Sequence, residues 1–273
     1  MVQEKFKIDL KVSFLITVFN DWEKLEETIP TLLNQNFDSF EIVIVDDGSG
    51  DQTSNYLKSL ESRYERIKCF FPGKLGRGRA LNYGIEQANG DFIAINDADD
   101  VSDPDRLKLQ YHFLSSNLDY GMIGSSFFLL DVQTKEKKLV EKPKDNALIR
   151  RTLIREQPFQ HSTVLIRKSV LKEIGGYNTT IRFLFDRDIF IRIAKVSKVH
   201  NLQLPLVTIK RHPQQFFYHS FSPYKRRYMH HKYCAEAIIQ LGFPKYLLLE
   251  PIVVFAWEVV SITYKKMLNK KIS

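Results

Sequence analysis

Cysteine is scarce in this 273-residue chain: Cys69 and Cys234 stand far apart, and Cys69 lies inside the apolar run Ile67–Phe71. Such a pair provides neither a disulfide framework nor zinc-ligand spacing, and it fits a reducing compartment. Met1–Lys11 mixes charges with single apolar residues, and the apolar run that follows is too short and wrongly flanked for a secretory signal. A cytosolic protein is expected. Internal repeats and low-complexity linkers are also lacking. Familiar binding loops are missing too. Gly73-Lys74-Leu75-Gly76-Arg77-Gly78-Arg79 lacks the Gly-Lys-Ser/Thr ending of a P-loop, and Leu81 stands where a dinucleotide fingerprint opening at Gly76 needs its third glycine. An EF-hand loop needs glycine at its sixth position and glutamate at its twelfth. Counting from Asp97 gives Ser102 and Lys108, and counting from Asp47 gives Gln52 and Lys58.

Net positive charge is missing from most of the chain. The formal charge is +8, but 11 of the 40 Lys and Arg fall in Pro205–Ser273 against three Glu, so the first 204 residues are balanced. The excess belongs to the tail.

What is present is an alternation of apolar runs and helical periodicity. Val12–Val18, Glu41–Val45, Ile67–Phe71 and Phe92–Asn96 read as buried strands. Between them, Leu25, Ile29, Leu32 and Leu33, then Tyr56, Leu57, Leu60 and Tyr64, then Leu81, Ile85 and Ala88 mark helix faces. This β-α-β-α-β-α-β order predicts an α/β fold with a Rossmann-like, mainly parallel sheet covered by helices on both faces. The loops Thr17–Asp21, Asp46–Asp51 and Asp97–Asp100 then meet at the carboxyl ends of the strands, where parallel sheets bind ligands.

The sharpest signal is Phe92-Ile93-Ala94-Ile95-Asn96-Asp97-Ala98-Asp99-Asp100, an apolar strand that ends in three carboxylates. Crowded carboxylates repel one another and are costly to bury without a compensating cation. An oxygen-rich set without nearby Cys or His favours Mg²⁺ or Mn²⁺, which commonly share their shell with substrate phosphates. The competing reading is a solvated turn, with Asp103 capping the helix that opens at Pro104. Asp46 and Asp47 at the end of Glu41–Val45 exceed what a turn requires, and one of them can accept a hydrogen bond from a uracil imide or a ribose. Lys74, Arg77 and Arg79 suit a pyrophosphate, although a solvated basic loop reads the same way.

Val12–Asn20, Asp46–Thr53, Gly90–Asp100 and Pro104–Leu107, in that order, resemble family 2 glycosyltransferases of the GT-A fold, with likeness extending over residues 12 to about 212. The resemblance implies an inverting transferase that uses a nucleotide-diphosphate sugar, with UDP the default, and a divalent metal bound through Asp97-Ala98-Asp99. It implies that Thr17, Phe19 and Asp47 hold the base, with Asp46 a lesser candidate, that Asp97 meets ribose or metal-bound water, and that Asp99 binds the metal. Asp186, after Gly175-Gly176-Tyr177, aligns with the family's catalytic base, and Phe185 stands where a glutamate is common. The alternative is that Asp186 only caps a helix and Asp188 pairs with Arg192. Gln160-His161-Ser162-Thr163 resembles the acceptor-side segment, and Lys210-Arg211-His212 resembles an Arg-x-His near the donor phosphates. His212 is thereby a candidate metal or phosphate contact, with a purely structural histidine as the other reading.

The expected organisation is a catalytic domain over 1–212, with a nucleotide-sugar half to about 100 and an acceptor half beyond it, followed by a basic, amphipathic helical appendage over 213–273. Helices are predicted over Pro223–Gln240 and Pro251–Leu268, the second about 27 Å long and carrying Glu250, Glu258, Ser261 and Lys265 along one side. That stripe argues against a spanning helix. It leaves two occupants for the apolar face. One is an anionic membrane surface met by Lys265, Lys266, Lys270 and Lys271, and the other is protein, including a homodimer partner. The helix is too apolar to suggest nucleic acid. Expected partners are therefore a nucleotide sugar and a glycan or lipid-linked glycan acceptor, at the cytoplasmic face of the plasma membrane in bacterial surface-polysaccharide assembly. Two other functions compete: a non-catalytic nucleotide-sugar or scaffold protein, and a sugar-phosphate nucleotidyltransferase. The latter wants a glycine-rich, arginine-containing loop after its first strand, where Thr17-Val18-Phe19-Asn20 stands.

Overall fold

The computed structural model describes residues 10–181, 184–212, 223–249 and 253–255. The expected alternation is present: β1 (Val12–Val18), α1 (Trp22–Leu33), β2 (Phe40–Asp46), α2 (Thr53–Arg63), β3 (Ile67–Phe70), α3 (Arg77–Gln87) and β4 (Phe92–Ile95). These strands pair in parallel in the order β3-β2-β1-β4. Their side chains alternate between two cores. Leu15, Val43, Val45, Ile93 and Ile95 enter one, and Phe14, Ile16, Ile42, Ile44 and Ala94 enter the other. Both faces are therefore covered, as a parallel sheet requires.

The second half departs from the parallel pattern. It comprises β5 (Val101–Ser102), α4 (Arg106–Ser116), β6 (Tyr120–Asp131), β7 (Lys137–Val140), α5 (Asn146–Leu153), β8 (Leu165–Arg167), α6 (Lys168–Glu173), α7 (Phe185–Val196), β9 (Lys198–Arg211) and α8 (Pro223–Gln240). β8 runs antiparallel to both β4 and β6, and β9 lies parallel to β6. Register shifts along the β6–β9 pair let β9 bend across the sheet until Val207 and Thr208 pair with β5. Its last residues thereby arrive beside the acidic loop.

Asp103 does not cap α4 at its first residue. Its Oδ1 accepts from the Asp105 N–H at 2.9 Å, closing a turn just ahead of the helix. α8 forms where predicted and buries Tyr233, Ala237 and Ile238 in the same core as β1 and β4, so this helix packs on protein. The predicted helix Pro251–Leu268 and its lysines lie outside the described residues, apart from 253–255. No described helix is long and apolar enough to cross a membrane.

Candidate active site

The carboxyl-end loops of the parallel strands are tied to one another. Asn20 N–H donates to Ser49 Oγ at 2.9 Å and Asn20 Oδ1 accepts from Gly50 N–H at 2.9 Å. Asp47 Oδ1 accepts from the N–H groups of Leu75 and Gly76 at 2.7 and 2.8 Å, and its Oδ2 lies 3.3 Å from Lys74 Nζ. That closeness requires glycine at 48, whose φ is +77° and where a Cβ would stand 2.8 Å from Lys74 N. Lys74 Nζ also sits 3.1 Å above the ring of exposed Phe19. Thr17, Phe19, Asp47 and Lys74 thus share one rim. Asp46 is buried and uses both oxygens internally, accepting from Ser49 N–H at 2.9 Å and Ser54 Oγ at 2.5 Å.

At the acidic loop, Asn96 Nδ2 donates to the carbonyls of Asp97 and Asp100 at 2.8 and 3.1 Å. Behind it lies fully buried Arg106, donating to Asn96 Oδ1, Ser102 Oγ and the Ile95 carbonyl at 2.8–2.9 Å. The loop's shape is therefore set by a buried guanidinium. Its carboxylates differ. Burial pushes Asp97 upward, but Arg77 and His161 outweigh this and hold it well below the usual carboxylate range. Burial, then Asp97, raises Asp99, and burial with Asp97 and Asp99 raises Asp100 well above its ordinary value. Of the three, Asp97 is the one held in an ion pair with an arginine.

β9 brings the missing neighbour. Lys210 N–H reaches Asp100 Oδ1 at 3.3 Å, while Lys210 Nζ pairs with Glu27. His212 Nε2 is buried, makes no hydrogen bond among the described residues and lies 3.5 Å from Asp99 Oδ2. A buried imidazole nitrogen facing a carboxylate whose charge is disfavoured by burial and by Asp97 fits a shared divalent cation. Among the described residues no group of three or more His, Cys, Asp or Glu could hold a metal ion, so Asp99 and His212 could supply only part of a shell.

Arg77 joins the two halves. Its guanidinium pairs with Asp97 and lies 5.5 Å from the Phe185 ring centroid; Asp97 raises it most, with Asp186 and Asp99 adding to the effect. Exposed Arg79, two positions on, cannot share that helix face. Phe185 packs edge-on against His161 and Tyr177, and His161 Nε2 is 2.8 Å from the Tyr177 hydroxyl. His161 Nδ1 stands 3.9 Å from Asp97 Oδ1, so this histidine also borders the acidic loop. Asp186 opens α7, with Oδ1 accepting from Arg187 N–H at 2.9 Å and Oδ2 from Gln157 Nε2 at 2.5 Å. Asp188 is structural. It pairs with Arg192 at 2.6 Å, which donates to the carbonyls of Ile174 and Gly176 and so supports the Gly-Gly-Tyr turn. Sequence reasoning did not single out Asn82, Arg106 or Gln157 as site residues. Only Arg106 carried a signal, its place in Pro104–Leu107.

A parallel β-α half joined to a mixed half, with an Asp-x-Asp loop at their junction, defines a glycosyltransferase of GT-A architecture. Residues 13–175 match the family model described as glycosyl transferase family 2, and the chain belongs to that family. It is 29% identical over 220 residues to EpsE of Bacillus subtilis, covering 78% of this chain and 77% of the relative. To the amylovoran biosynthesis glycosyltransferase AmsE of Erwinia amylovora it is 28% identical over 205 residues, or 72% and 75% of the two chains. Its fold matches S. aureus TarS 1–349 in complex with UDP-GlcNAc with a TM-score of 0.71 at 18% identity, over 89% of this chain and 72% of the other. It also matches the mannosyltransferase PcManGT from Pyrobaculum calidifontis, bound to GDP-Man and Mn²⁺, with a TM-score of 0.60 at 16% identity over 90% and 69%.

Proposed function

We propose that this glycosyltransferase moves a sugar, with inversion, from a nucleoside-diphosphate sugar to a hydroxyl of a glycan or lipid-linked glycan during surface-polysaccharide assembly. The carrying observation is Arg77, whose guanidinium pairs with Asp97 on the donor side while lying over Phe185, next to Asp186, on the other. The amylovoran role in the name of AmsE and the UDP-GlcNAc and GDP-Man in the solved relatives support the donor and pathway class. UDP is the nucleotide we assign.

Thr17, Phe19 and Asp47 receive the base, and Lys74 and Arg77 receive the diphosphate. Asp99 and His212 hold Mg²⁺ or Mn²⁺, which when bound supplies Lewis-acid stabilisation of the leaving diphosphate. Asp97 orients Arg77 and meets the ribose. Asp186 takes the acceptor hydroxyl's proton as the oxygen attacks the anomeric carbon and the bond to the diphosphate breaks. The lipid-linked class of acceptor goes with the basic tail, which we assign to an anionic membrane surface.

The test is a panel of UDP- and GDP-sugars with Mn²⁺, scored for nucleotide release and for metal-dependent donor binding. One donor class should be bound and slowly hydrolysed by the wild type. Asp186→Asn should bind that donor and release almost no nucleotide, and Asp99→Ala should lose metal-dependent binding. Undiminished turnover in both variants would refute the assignment.

A further inference from the structure

Asp186 is held on both oxygens, and the two contacts have different origins. The Arg187 N–H contact to Oδ1 is local to the first turn of α7. The contact to Oδ2 comes from Gln157, 29 residues away on the segment that follows α5.

That segment is anchored from behind. Lys142 Nζ donates to the Gln157 carbonyl at 3.1 Å. Asn201, fully buried on β9, donates to the carbonyls of Pro143 and Pro158 at 2.8 and 3.1 Å, clasping two chain segments together. A Cβ at Gly124 would lie 2.3 Å from Asn201 Oδ1, so the clasp is built around a glycine.

The other end of the Gln157 amide makes no gain. Oε1 is buried without a hydrogen-bond partner among the described residues. A buried amide oxygen with no donor costs stability, so packing alone would favour an apolar side chain here. Turning the amide would set its oxygen against the Asp186 carboxylate, acceptor against acceptor. The residue is explained by its N–H.

We propose that Gln157 is the positioning residue for Asp186, fixing the carboxylate in the rotamer from which it accepts the acceptor hydroxyl's proton. This rests on Asp186 being the base. Gln157 keeps its own protons; the hydroxyl proton passes to Asp186 alone. Among the described residues, Arg77, Tyr177 and Tyr233 feel the Asp186 charge, and Arg187 contributes its backbone N–H.

The experiment compares Gln157→Leu, Gln157→Glu and Asp186→Asn in the full chain, using Mn²⁺-dependent UDP release from UDP-glucose, UDP-galactose and UDP-N-acetylglucosamine together with a crystal structure of Gln157→Leu. Gln157→Leu should lower kcat about 10- to 100-fold with an unchanged donor KM. Its crystal structure should show the Asp186 side chain in a different rotamer. Gln157→Glu sets two carboxylates at hydrogen-bond distance, so the acid limb of its pH–rate profile should move up by about one unit or more. A Gln157→Leu crystal with Asp186 unmoved overturns the proposal whatever the rates, as does wild-type kcat in that variant while Asp186→Asn is inactive. Full UDP release by Asp186→Asn instead removes the base assignment itself.

Discussion

Asn82 grips Tyr177 with both ends of its amide, Nδ2 donating to the Tyr177 carbonyl at 2.8 Å and Oδ1 accepting the Tyr177 N–H at 2.7 Å. The pair joins α3, which carries Arg77, to the turn that leads into Asp186. Donor-side and acceptor-side groups are thereby held at a fixed separation. Asn82→Ala should lose about 1–3 kcal/mol, because two buried backbone groups are left without partners. Urea unfolding measures this, and donor turnover should fall by more than the donor affinity does.

Gly176 makes that grip possible. Its φ is +67°, and a Cβ there would stand 2.5 Å from Asn82 Oδ1. Gly176→Ala combines backbone strain with a clash, so a loss of about 2 kcal/mol or more is expected from thermal or urea unfolding. Gly175, also at positive φ, meets nothing within 4 Å, so alanine there should show the strain alone and cost less.

Arg106 lies behind the acidic loop rather than in it. Arg106→Leu would leave Asn96 Oδ1 and Ser102 Oγ each without its guanidinium donor, and the expected loss is about 3 kcal/mol. Arg106→Lys should recover only part, since one ammonium cannot reproduce the planar fork. In both variants Mn²⁺ binding in the presence of UDP should weaken, because Asn96 no longer holds Asp97 and Asp100 in place.

His212→Ala tests the proposed metal role of this histidine directly. With UDP present, Mn²⁺ affinity read by electron paramagnetic resonance should fall by about tenfold or more while the melting temperature stays unchanged. An unaltered affinity would return His212 to a structural role.

Cys69 gives a pH prediction with a definite sign. Burial, then the Glu61 charge, pushes its thiol from 9.0 up to about 12. Below pH 9 the thiol is neutral in both folded and unfolded chains. Above it the unfolded chain ionises first, so stability falls by about 1.4 kcal/mol per pH unit between about 9 and about 12. Cys69→Ala should remove that part of the slope in urea titrations run at pH 8 and pH 10.

The sequence declared those parts of the site that depend on local pattern. Strands β1 to β4, their helices and the acidic run were readable because apolar alternation and an abrupt charge change are local. The strands β5, β7 and β9 were not, since their pairings join segments far apart and their runs are short or mixed. Side-chain roles divided the same way. Asp186 and Asp188 look alike in a helix start, and what each faces across the fold separates them: Gln157 for Asp186, and Arg192 beneath the Gly-Gly-Tyr turn for Asp188. Gln157 and Asn82 carry no motif; their meaning lies in what faces them across the fold.

Strand β9 holds Asn201 near one end and leads directly into His212 at the other. The clasp behind the Gln157 segment and the imidazole beside Asp99 are thus carried on one strand. Mutations selected to admit a different acceptor should therefore alter cation affinity as a side effect, and specificity in this enzyme would evolve as a compromise between its two substrates.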